Sequence, residues 1–413
     1  MREVLSPFEA ISRCRVPGRR PAAQLRYYTA AYPIGPFAIF SSATKLLVAL
    51  ILIPATAVAV LWARSWLPAD MEAASVTCSA TAPEWTAGSP LKIMSYNVQY
   101  MASKNYVFFY DIDVNDPDRV DAVEKANKTI ASRPSKEHVF WTLDKVAELI
   151  KREDPDIILL QEINGGDDSR TYYTEQSAEL LSRLPDGLYP CHSEAPYWKA
   201  EYIFHPDVLG PVNMKLLTLS KYRIEKSVRH QLPRKPRNFL VTPFHFQRAL
   251  LESHISASND QTVAVINTHY DAWGAGTGIM ERQIAKTEAL LQSLDNEDTP
   301  WVLGGDLNLL PPDNNRQRQR ILAAGTGDYD ENPQIKPLYQ KYRGIPSLRH
   351  LTSNDPRAWY THFPNDPTAT GPDRTIDYLF YSDQWSLDDA YIMQEEALQI
   401  SDHLPVVGVY SFP

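Results

Sequence analysis

Short apolar runs alternate with polar stretches along this chain, and their periods predict both strands and helices. Strand-like runs occur at residues 91–98, 156–163, 201–205, 215–220, 248–255, 262–268, 301–303, 375–381 and 406–412. The helical period occurs at residues 141–152, 176–183 and 280–294. Mixed strands and helices, with polar residues repeatedly at the strand ends, are typical of an α+β layered sandwich.

An uncharged run, LLVALILIPATAVAVLWA at residues 46–63, precedes this pattern. It reaches the lower length limit of a membrane-spanning helix, roughly 17–25 residues. We predict an uncleaved anchor, because a signal peptide has a shorter apolar core that begins nearer the N-terminus. A cleaved signal peptide and a buried core helix are the alternatives. The basic residues before the run predict a cytoplasmic N-terminus and an extracytoplasmic main domain.

The pattern divides the chain into four parts. They are a basic N-terminal segment at 1–45, the anchor at 46–63, a linker at 64–90 and a packed domain at 91–413. The net charge of −9 is unevenly distributed, because the first 64 residues carry eight basic and two acidic side chains. The rest of the chain therefore carries −15. Such an acidic domain does not attract nucleic acid through its overall charge.

The three cysteines, Cys14, Cys78 and Cys191, do not have the spacing of metal ligands. If the main domain lies outside the cytoplasm, Cys78 and Cys191 can pair. Two unpaired thiols are the alternative.

The clearest candidates for catalytic residues lie in the segment WVLGGDLNLL at residues 301–310. An apolar strand is followed by Gly304 and Gly305, which are predicted to turn the chain. Asp306 and Asn308 come next, two positions apart, so that their side chains face the same way on an extended chain. Asp306 can accept a proton from water, and Asn308 can hold that water or a phosphoryl oxygen. A polar turn after a core strand is the structural alternative.

Other polar residues occupy corresponding places at the ends of apolar runs. They are Asn97, Glu162, His269 with Asp271, Asp377, and Asp402 with His403. Each of them alone has an ordinary explanation, such as a turn, a solvated strand end or a hydrogen-bonded core histidine. Asp377, within the apolar run TIDYLF, needs a partner because burial of an unpaired carboxylate is costly. The recurrence of carboxylate, amide and imidazole at one structural place predicts a hydrolytic site.

Six segments resemble, in order, the motifs of the endonuclease/exonuclease/phosphatase superfamily, the fold of deoxyribonuclease-I-like enzymes. They are MSYNV, DIILLQEI, INTHYD, LGGDLNLLP, TIDYLFYS and SDHLPV, and the resemblance covers residues 91–413. It implies a four-layer α/β/β/α sandwich of two mixed sheets, here preceded by one N-terminal transmembrane helix. Residues 99–133 and 311–346 depart from the family pattern and leave the substrate open.

The resemblance further implies a metal-dependent phosphoester hydrolase. Asn97, Glu162 and Asp402 are expected to lie at a Mg²⁺ site, since this hard cation prefers oxygen ligands. Mn²⁺ is the alternative ion. The metal would neutralise phosphoryl charge and stabilise the leaving oxygen.

The catalytic residues implied by the resemblance are His269, Asp306, Asn308, Asp377 and His403. Asp306 is expected to orient and deprotonate the attacking water, and Asn308 to bond to that water or to the phosphoryl group. His269 and His403 are expected to donate hydrogen bonds to phosphoryl oxygens as charge develops. Asp377 would hold His403 in the right tautomer and favour its protonated form.

Three functions fit the sequence. The first is a membrane-anchored phosphodiesterase that acts on lipid headgroups, as neutral sphingomyelinases do. It is favoured by the anchor, by the aromatic residues 106–110 and by the net negative charge of the main domain. The second is an extracytoplasmic nuclease whose basic loop at 221–238 tracks a phosphate backbone. The third is a non-catalytic, membrane-anchored binding module. Asp271 and Arg374 are candidates for substrate contact, with a loop hydrogen bond and a surface strand end as their alternatives. No protein partner can be inferred.

Overall fold

The computed structural model describes residues 36–112, 115–126, 128–258, 261–312, 316–324, 328–353 and 355–412. The chain divides into two compact units, Met1–Ala57 and Val58–Pro413. Cys14 and most of the basic segment 1–45 lie outside the described residues.

The α-helices are α1 (Pro36–Ala63), α2 (Pro117–Lys125), α3 (Lys136–Glu153), α4 (Gln176–Leu181), α5 (Ile279–Asn296), α6 (Arg316–Ala323), α7 (Lys336–Lys341), α8 (Leu348–Leu351) and α9 (Gln394–Ala397). The first eight strands are β1 (Met71–Ala73), β2 (Ser75–Cys78), β3 (Leu91–Asn97), β4 (Tyr106–Phe108), β5 (Thr129–Ala131), β6 (Ile157–Asn164), β7 (Cys191–Ile203) and β8 (Gly210–Ser220). The others are β9 (Ile224–Gln231), β10 (Ala249–Ser256), β11 (Thr262–His269), β12 (Trp301–Asp306), β13 (Arg343–Ile345), β14 (Asp377–Tyr381), β15 (Ser386–Ile392) and β16 (Val406–Ser411).

Helix α1 contains the predicted apolar run and begins ten positions before it, at Pro36. Its segment Thr44–Ala63 has a mean hydropathy of 2.6, and none of it is buried. Among the described residues this is the one helix long and apolar enough to cross a membrane. The prediction of an N-terminal apolar helix is therefore confirmed.

Two seven-stranded sheets form the larger unit. Sheet 1 has the order β1-β9-β10-β11-β12-β14-β13, and sheet 2 has the order β15-β16-β3-β6-β8-β7-β2. Strands β11 and β12 are parallel in sheet 1, as are β3 and β6 in sheet 2, whereas their other described neighbours pair antiparallel. Both sheets are therefore mixed, as predicted.

The sheets pack face to face through apolar side chains that alternate along their strands. Leu159 of sheet 2 meets Val265, Val302 and Leu379 of sheet 1 in the core between the sheets. Successive side chains of a strand point to opposite faces. The remaining apolar residues of the same strands therefore face outward, where they need cover from helices.

Helices α3 and α5 provide that cover on the two outer faces. Val139 and Leu143 of α3 pack on sheet 2, and Ile284 and Leu291 of α5 pack on sheet 1. Helix α3 begins where the Ser135 side chain accepts a hydrogen bond from the backbone of the first turn, which satisfies one free N–H group. The predicted α/β/β/α sandwich of two mixed sheets is confirmed.

Gly304 and Gly305 lie inside β12, so the prediction that they turn the chain is wrong. A Cβ on Gly304 would come within 2.7 Å of the Leu159 and Leu379 side chains. A Cβ on Gly305 would lie 1.9 Å from the carbonyl oxygen of Thr268 on the neighbouring strand. Glycine is needed here because the strand and the facing sheet approach the backbone closely.

Residues 64–90, expected to be a linker, contain β1 and β2, which pair with β9 and β7. Cys78 lies opposite Cys191 across the β2–β7 pair, and the two form a disulfide. Sheet pairing therefore begins at Met71, ahead of the predicted boundary at residue 91. The expected basic loop at 221–238 contains β9, a full strand of sheet 1.

Candidate active site

Strand register brings the predicted polar residues together at one end of the two sheets. In sheet 1, His269 lies opposite Asp306 on β12, and Asp306 lies opposite Asp377 on β14. In sheet 2, Asn97 ends β3, and Glu162 lies near the end of the neighbouring strand β6. The Asn97 Nδ2 donates to Asp306 Oδ2 at 3.1 Å, which joins the two sheets at this end.

Asp306 is the buried centre of the site. Its Oδ1 accepts a hydrogen bond from the Asn308 backbone at 2.9 Å, and its Oδ2 accepts from the Asn308 side chain at 3.3 Å. The His269 Nε2 lies 3.2 Å from the same Oδ2. Burial raises the pKa of Asp306 to about 7, with His403 opposing the rise and Asp377 adding to it. Near neutral pH this carboxyl can therefore both accept and hold a proton.

His403 is held at its Nδ1, which donates to the two oxygens of Asp377 at 3.0 and 2.9 Å. Its Nε2 lies 3.7 Å from Asp306 Oδ2 and 4.0 Å from Asp402 Oδ1. Burial alone lowers the pKa of His403, but the carboxylates of Asp377, Asp306 and Asp402 outweigh burial and raise it well above the usual value. These carboxylates therefore favour the charged, imidazolium form of His403.

His269 has the opposite electrostatic character. Its Nδ1 lies 3.3 Å from the Tyr197 hydroxyl group, while its Nε2 faces Asp306. Burial lowers the pKa of His269 well below the usual value, and Arg248 and His403 lower it further. The surroundings of the two site histidines therefore favour the neutral form of His269 and the charged form of His403.

Glu162 lies beside these groups on an irregular part of β6, with a positive φ of 59°. Its Oε1 accepts a hydrogen bond from the Asn97 side chain at 3.1 Å. Burial raises the pKa of Glu162, and the nearby Asp402 raises it further. The carboxylates of Glu162 and Asp402 are oxygen donors that suit a hard divalent cation. The Asn97 amide oxygen, in contrast, accepts a hydrogen bond from the Gln99 backbone at 3.0 Å, so that its NH₂ group and not its oxygen faces Glu162.

Closer groupings of candidate ligand atoms also exist among the described residues. Asp306, Asp377 and His403 form one, and His362, Asp402 and His403 form another, with ligand atoms within 4.8 Å of one another. The predicted ligand Asp402 thus groups with two histidines, whereas Glu162 is in neither group. Imidazole nitrogens suit transition metals, so the oxygen donors remain the set that suits Mg²⁺.

The site opens into a cleft of about 770 Å³. One wall is aromatic and includes Tyr110, Trp198 and Trp273, and Arg170 lies 4.5 Å from the centre of the Trp198 ring. Glu162, Asp306, Asp402 and the two site histidines line the same cleft. A substrate in this cleft would therefore contact polar catalytic groups and an aromatic surface together.

The two predicted substrate contacts lie in different places. Arg374 lines the cleft, but its guanidinium group donates two hydrogen bonds of 2.7 Å to Asp373. Asp271 does not line the cleft; it lines a smaller pocket beside it, where its Oδ2 accepts a hydrogen bond from Gln283 at 2.8 Å.

Sequence analysis did not identify Arg248, His362 or Tyr197, which also line or contact the site. Arg248 immediately precedes β10, and Tyr197 lies inside β7, so neither follows a strand end as the predicted residues do. His362 comes next to the site because its backbone bridges to Arg374 and to His403. No local sequence pattern marks such a position.

The chain was compared with known proteins. A model described as the Endonuclease/Exonuclease/phosphatase family matches residues 139–403, which is more than half of the chain. No curated protein matches significantly.

Solved structures are also similar to this chain. An endonuclease/exonuclease/phosphatase from Beutenbergia cavernae is 19% identical, with 78% of this chain and 72% of that chain covered and a TM-score of 0.52. The human Nocturnin catalytic domain with bound sulfate anion is 16% identical, with coverages of 82% and 97% and a TM-score of 0.47. The family match is what assigns the chain: it belongs to the endonuclease/exonuclease/phosphatase family, whose members are hydrolases of phosphoester bonds.

Proposed function

We propose that this protein is a membrane-anchored, Mg²⁺-dependent phosphodiesterase that acts on lipid headgroups. The observation that carries this proposal is the convergence of carboxylate, amide and imidazole groups from both sheets around Asp306. These groups can activate water and can stabilise negative charge, which are the two requirements of phosphoester hydrolysis.

Glu162 and Asp402 would hold the Mg²⁺, and Asn97, whose Nδ2 donates to Glu162 Oε1, would position that carboxylate. When bound, the ion supplies positive charge that neutralises the phosphoryl group and stabilises the leaving oxygen. Burial and the negative charge of Asp402 both raise the pKa of Glu162, and a bound cation would offset both effects.

The chain's own residues would supply the proton transfer. Asp306 would orient a water molecule and take its proton as the water oxygen forms a bond to phosphorus and the ester oxygen leaves. A pKa of about 7 for Asp306, caused first by burial, is well matched to that role near neutral pH. The Asn308 side chain, 3.3 Å from Asp306 Oδ2, would hold the water or a phosphoryl oxygen.

The histidines would stabilise charge on the phosphoryl oxygens. His403, charged and held at Nδ1 by Asp377, would donate from Nε2. His269 would donate as a neutral imidazole. Donors fixed in advance by buried partners do not need to reorient during the reaction, which makes them effective.

The membrane assignment is supported by α1 and by the disulfide. We propose that a cytoplasmic N-terminal segment precedes the anchor at 46–63 and that an extracytoplasmic catalytic domain follows it, with its first strand at Met71. The Cys78–Cys191 disulfide is consistent with an extracytoplasmic catalytic domain, because disulfides persist in oxidising compartments outside the cytoplasm.

A lipid substrate is supported by an exposed apolar segment at residues 239–241. The Trp62 Nε1, at the C-terminal end of α1, lies 3.4 Å from the Phe239 carbonyl oxygen. Tryptophan at the end of a spanning helix lies at the membrane interface, so this segment would lie there too. The same loop accepts a hydrogen bond at Phe244 O from Trp198, which lines the cleft. This loop would therefore connect the exposed apolar segment to the wall of the cleft.

The test is a substrate screen on the full chain in nanodiscs, with Mg²⁺ or with EDTA. Sphingomyelin, phosphatidylinositol, plasmid DNA and a chromogenic phosphodiester are the substrates. We expect Mg²⁺-dependent release of a phosphorylated headgroup. Turnover of DNA alone would favour the nuclease, and no turnover of any substrate would favour a binding module.

A further inference from the structure

A second, smaller pocket adjoins the catalytic cleft, and we call it the basic pocket. Its charged lining consists of Arg234, Lys235, Arg237 and Arg248 with one carboxylate, Asp271. Four cationic side chains therefore face a single anionic one. The pocket shares Arg248 and Trp273 with the cleft, so a group bound in it would lie next to a substrate.

Arg248 is the residue that this pocket leaves without hydrogen-bond partners. Its side chain is only 5% exposed, yet its Nε and Nη1 have no hydrogen-bond partner among the described residues. The guanidinium group lies 4.3 Å from the centre of the Phe246 ring, and its Nε is 3.9 Å from Asp271 Oδ1, beyond hydrogen-bond distance. At this distance the Asp271 carboxylate offsets the buried positive charge of Arg248 only in part, so an anion bound in the pocket would stabilise that charge.

The other cations are held close to Arg248. The Lys235 Nζ donates to the backbone oxygens of Ala272 and Trp273, which fixes it in the pocket wall. Burial lowers the pKa of Lys235; Asp271 opposes this, whereas Arg248 and Arg237 lower the pKa further. Cations that destabilise one another in this way would be stabilised by a bound anion.

The size of the pocket limits the ligand. Its volume is about 140 Å³. Drug-sized ligands need roughly 300–1,000 Å³. The pocket is too small for such a ligand and suits a small group such as a phosphoryl group. Arginine forks match phosphate oxygens, and a phosphoryl group has the charge and the number of acceptor oxygens to contact several of the four cations at once.

We infer that the basic pocket binds a phosphoryl group distinct from the ester that is hydrolysed. The group is either the phosphate of an anionic lipid headgroup or a free phosphate. The inference rests on the proposed function only in that it takes the neighbouring cleft to be catalytic. Binding in the pocket itself requires neither metal nor turnover.

Isothermal titration of the full chain in zwitterionic micelles with EDTA tests this inference. One arm uses inorganic phosphate, and the other uses dihexanoyl phosphatidic acid. Because phosphate can also enter the cleft, each titration is repeated with His403→Gln, which removes a cleft contact and leaves the pocket unchanged. We expect the double variant Lys235→Gln/Arg237→Gln to weaken binding at least about fourfold, as each lost charge contact contributes roughly two- to tenfold.

The matched control removes the same charge elsewhere. Lys226 and Lys286 are exposed and do not line the pocket, so Lys226→Gln/Lys286→Gln should change affinity by less than about twofold. Arg248→Gln should also abolish tight binding; if it fails to fold, the double variant still decides. Binding of phosphatidic acid alone supports a lipid headgroup as the ligand, and binding of both probes supports a free phosphate as the ligand. Equal affinity in the wild type and the double variant would overturn the inference, whatever the substrate screen finds.

Discussion

The Nδ1 of His403 donates to both carboxylate oxygens of Asp377, at 3.0 and 2.9 Å, and both side chains are buried. This pairing fixes the ring so that its Nε2 faces Asp306, 3.7 Å away. The positions of the two residues along the chain do not reveal the contact, since one lies at the start of β14 and the other lies in the loop before β16. The contact makes His403 a fixed, charged donor.

Replacement of this carboxylate should therefore impair the reaction through the histidine. We expect Asp377→Asn and His403→Ala each to lower kcat by at least about 10²-fold, the scale of one lost oxyanion or acid/base contact. Steady-state kinetics with the best substrate of the screen measures this. Asp383→Asn, at an exposed carboxylate just after β14, is the matched control and should keep full activity. Full activity in Asp377→Asn would mean that the pairing has no catalytic role.

The oxygen donors should govern the metal requirement. We expect Glu162→Gln to raise the Mg²⁺ concentration needed for half-maximal activity by at least about tenfold, because a neutral amide binds a hard cation less strongly. A Mg²⁺ titration of activity is the measurement, with Glu281→Gln on the exposed face of α5 as the control. An unchanged titration curve would exclude Glu162 as a ligand and would direct attention to the histidine-containing grouping at Asp402.

Stability should depend on pH through a buried group outside the site. Glu252 accepts hydrogen bonds of 2.6 Å from His230 and His254. Burial alone would raise the pKa of Glu252, but the two histidines outweigh burial and lower it to about 2. The pKa of Glu252 in the folded state lies below its pKa in the unfolded chain, which is about 4.3. The charged carboxylate therefore stabilises the fold fully at pH values above about 4.3. This stabilisation is lost as the pH falls towards 2.

Denaturant unfolding at several pH values tests this expectation. Glu252→Gln should lower the free energy of unfolding by about 1–3 kcal/mol at pH 7. The difference from the wild type should shrink between about pH 4 and pH 2. A difference that stays constant over this range would show that charge on Glu252 is not what stabilises the fold.

The Cys78–Cys191 disulfide should stabilise the edge of sheet 2. It closes a loop with a sequence separation of 113 residues. We expect the variant Cys78→Ser/Cys191→Ser to lose roughly 2–4 kcal/mol of unfolding free energy, largely because the unfolded chain gains freedom. Thiol titration of the unfolded, non-reduced protein gives an independent check, since it should detect one free thiol per chain. Three free thiols would contradict the pairing.

Much of the fold could be predicted from the sequence because its core strands are apolar and its helices amphipathic. The predicted helices 141–152 and 280–294 fall inside α3 and α5. Strand β9 was missed because buried polar residues interrupt its apolar pattern. Arg229 is buried under Trp66, and His230 pairs with Glu252. A charge run therefore predicted a loop where tertiary contacts stabilise a strand.

Site residues could be predicted where a polar or charged side chain lies at the end of an apolar strand. Asp306 and His269 are such residues, and the register of β11 and β12 places them side by side. Arg248 and His362 could not be predicted in this way. The first precedes a strand and the second lies in an irregular segment, and only the packing of distant chain segments brings both to the cleft.

The central claim is that Asp306 activates the attacking water in this cleft, and the kcat of Asp306→Ala tests it most directly. The measurement uses the full chain in nanodiscs with saturating Mg²⁺, and unfolding curves establish that the variant is folded. We predict that kcat falls by at least about 10²-fold. A folded Asp306→Ala variant with wild-type kcat would contradict the account.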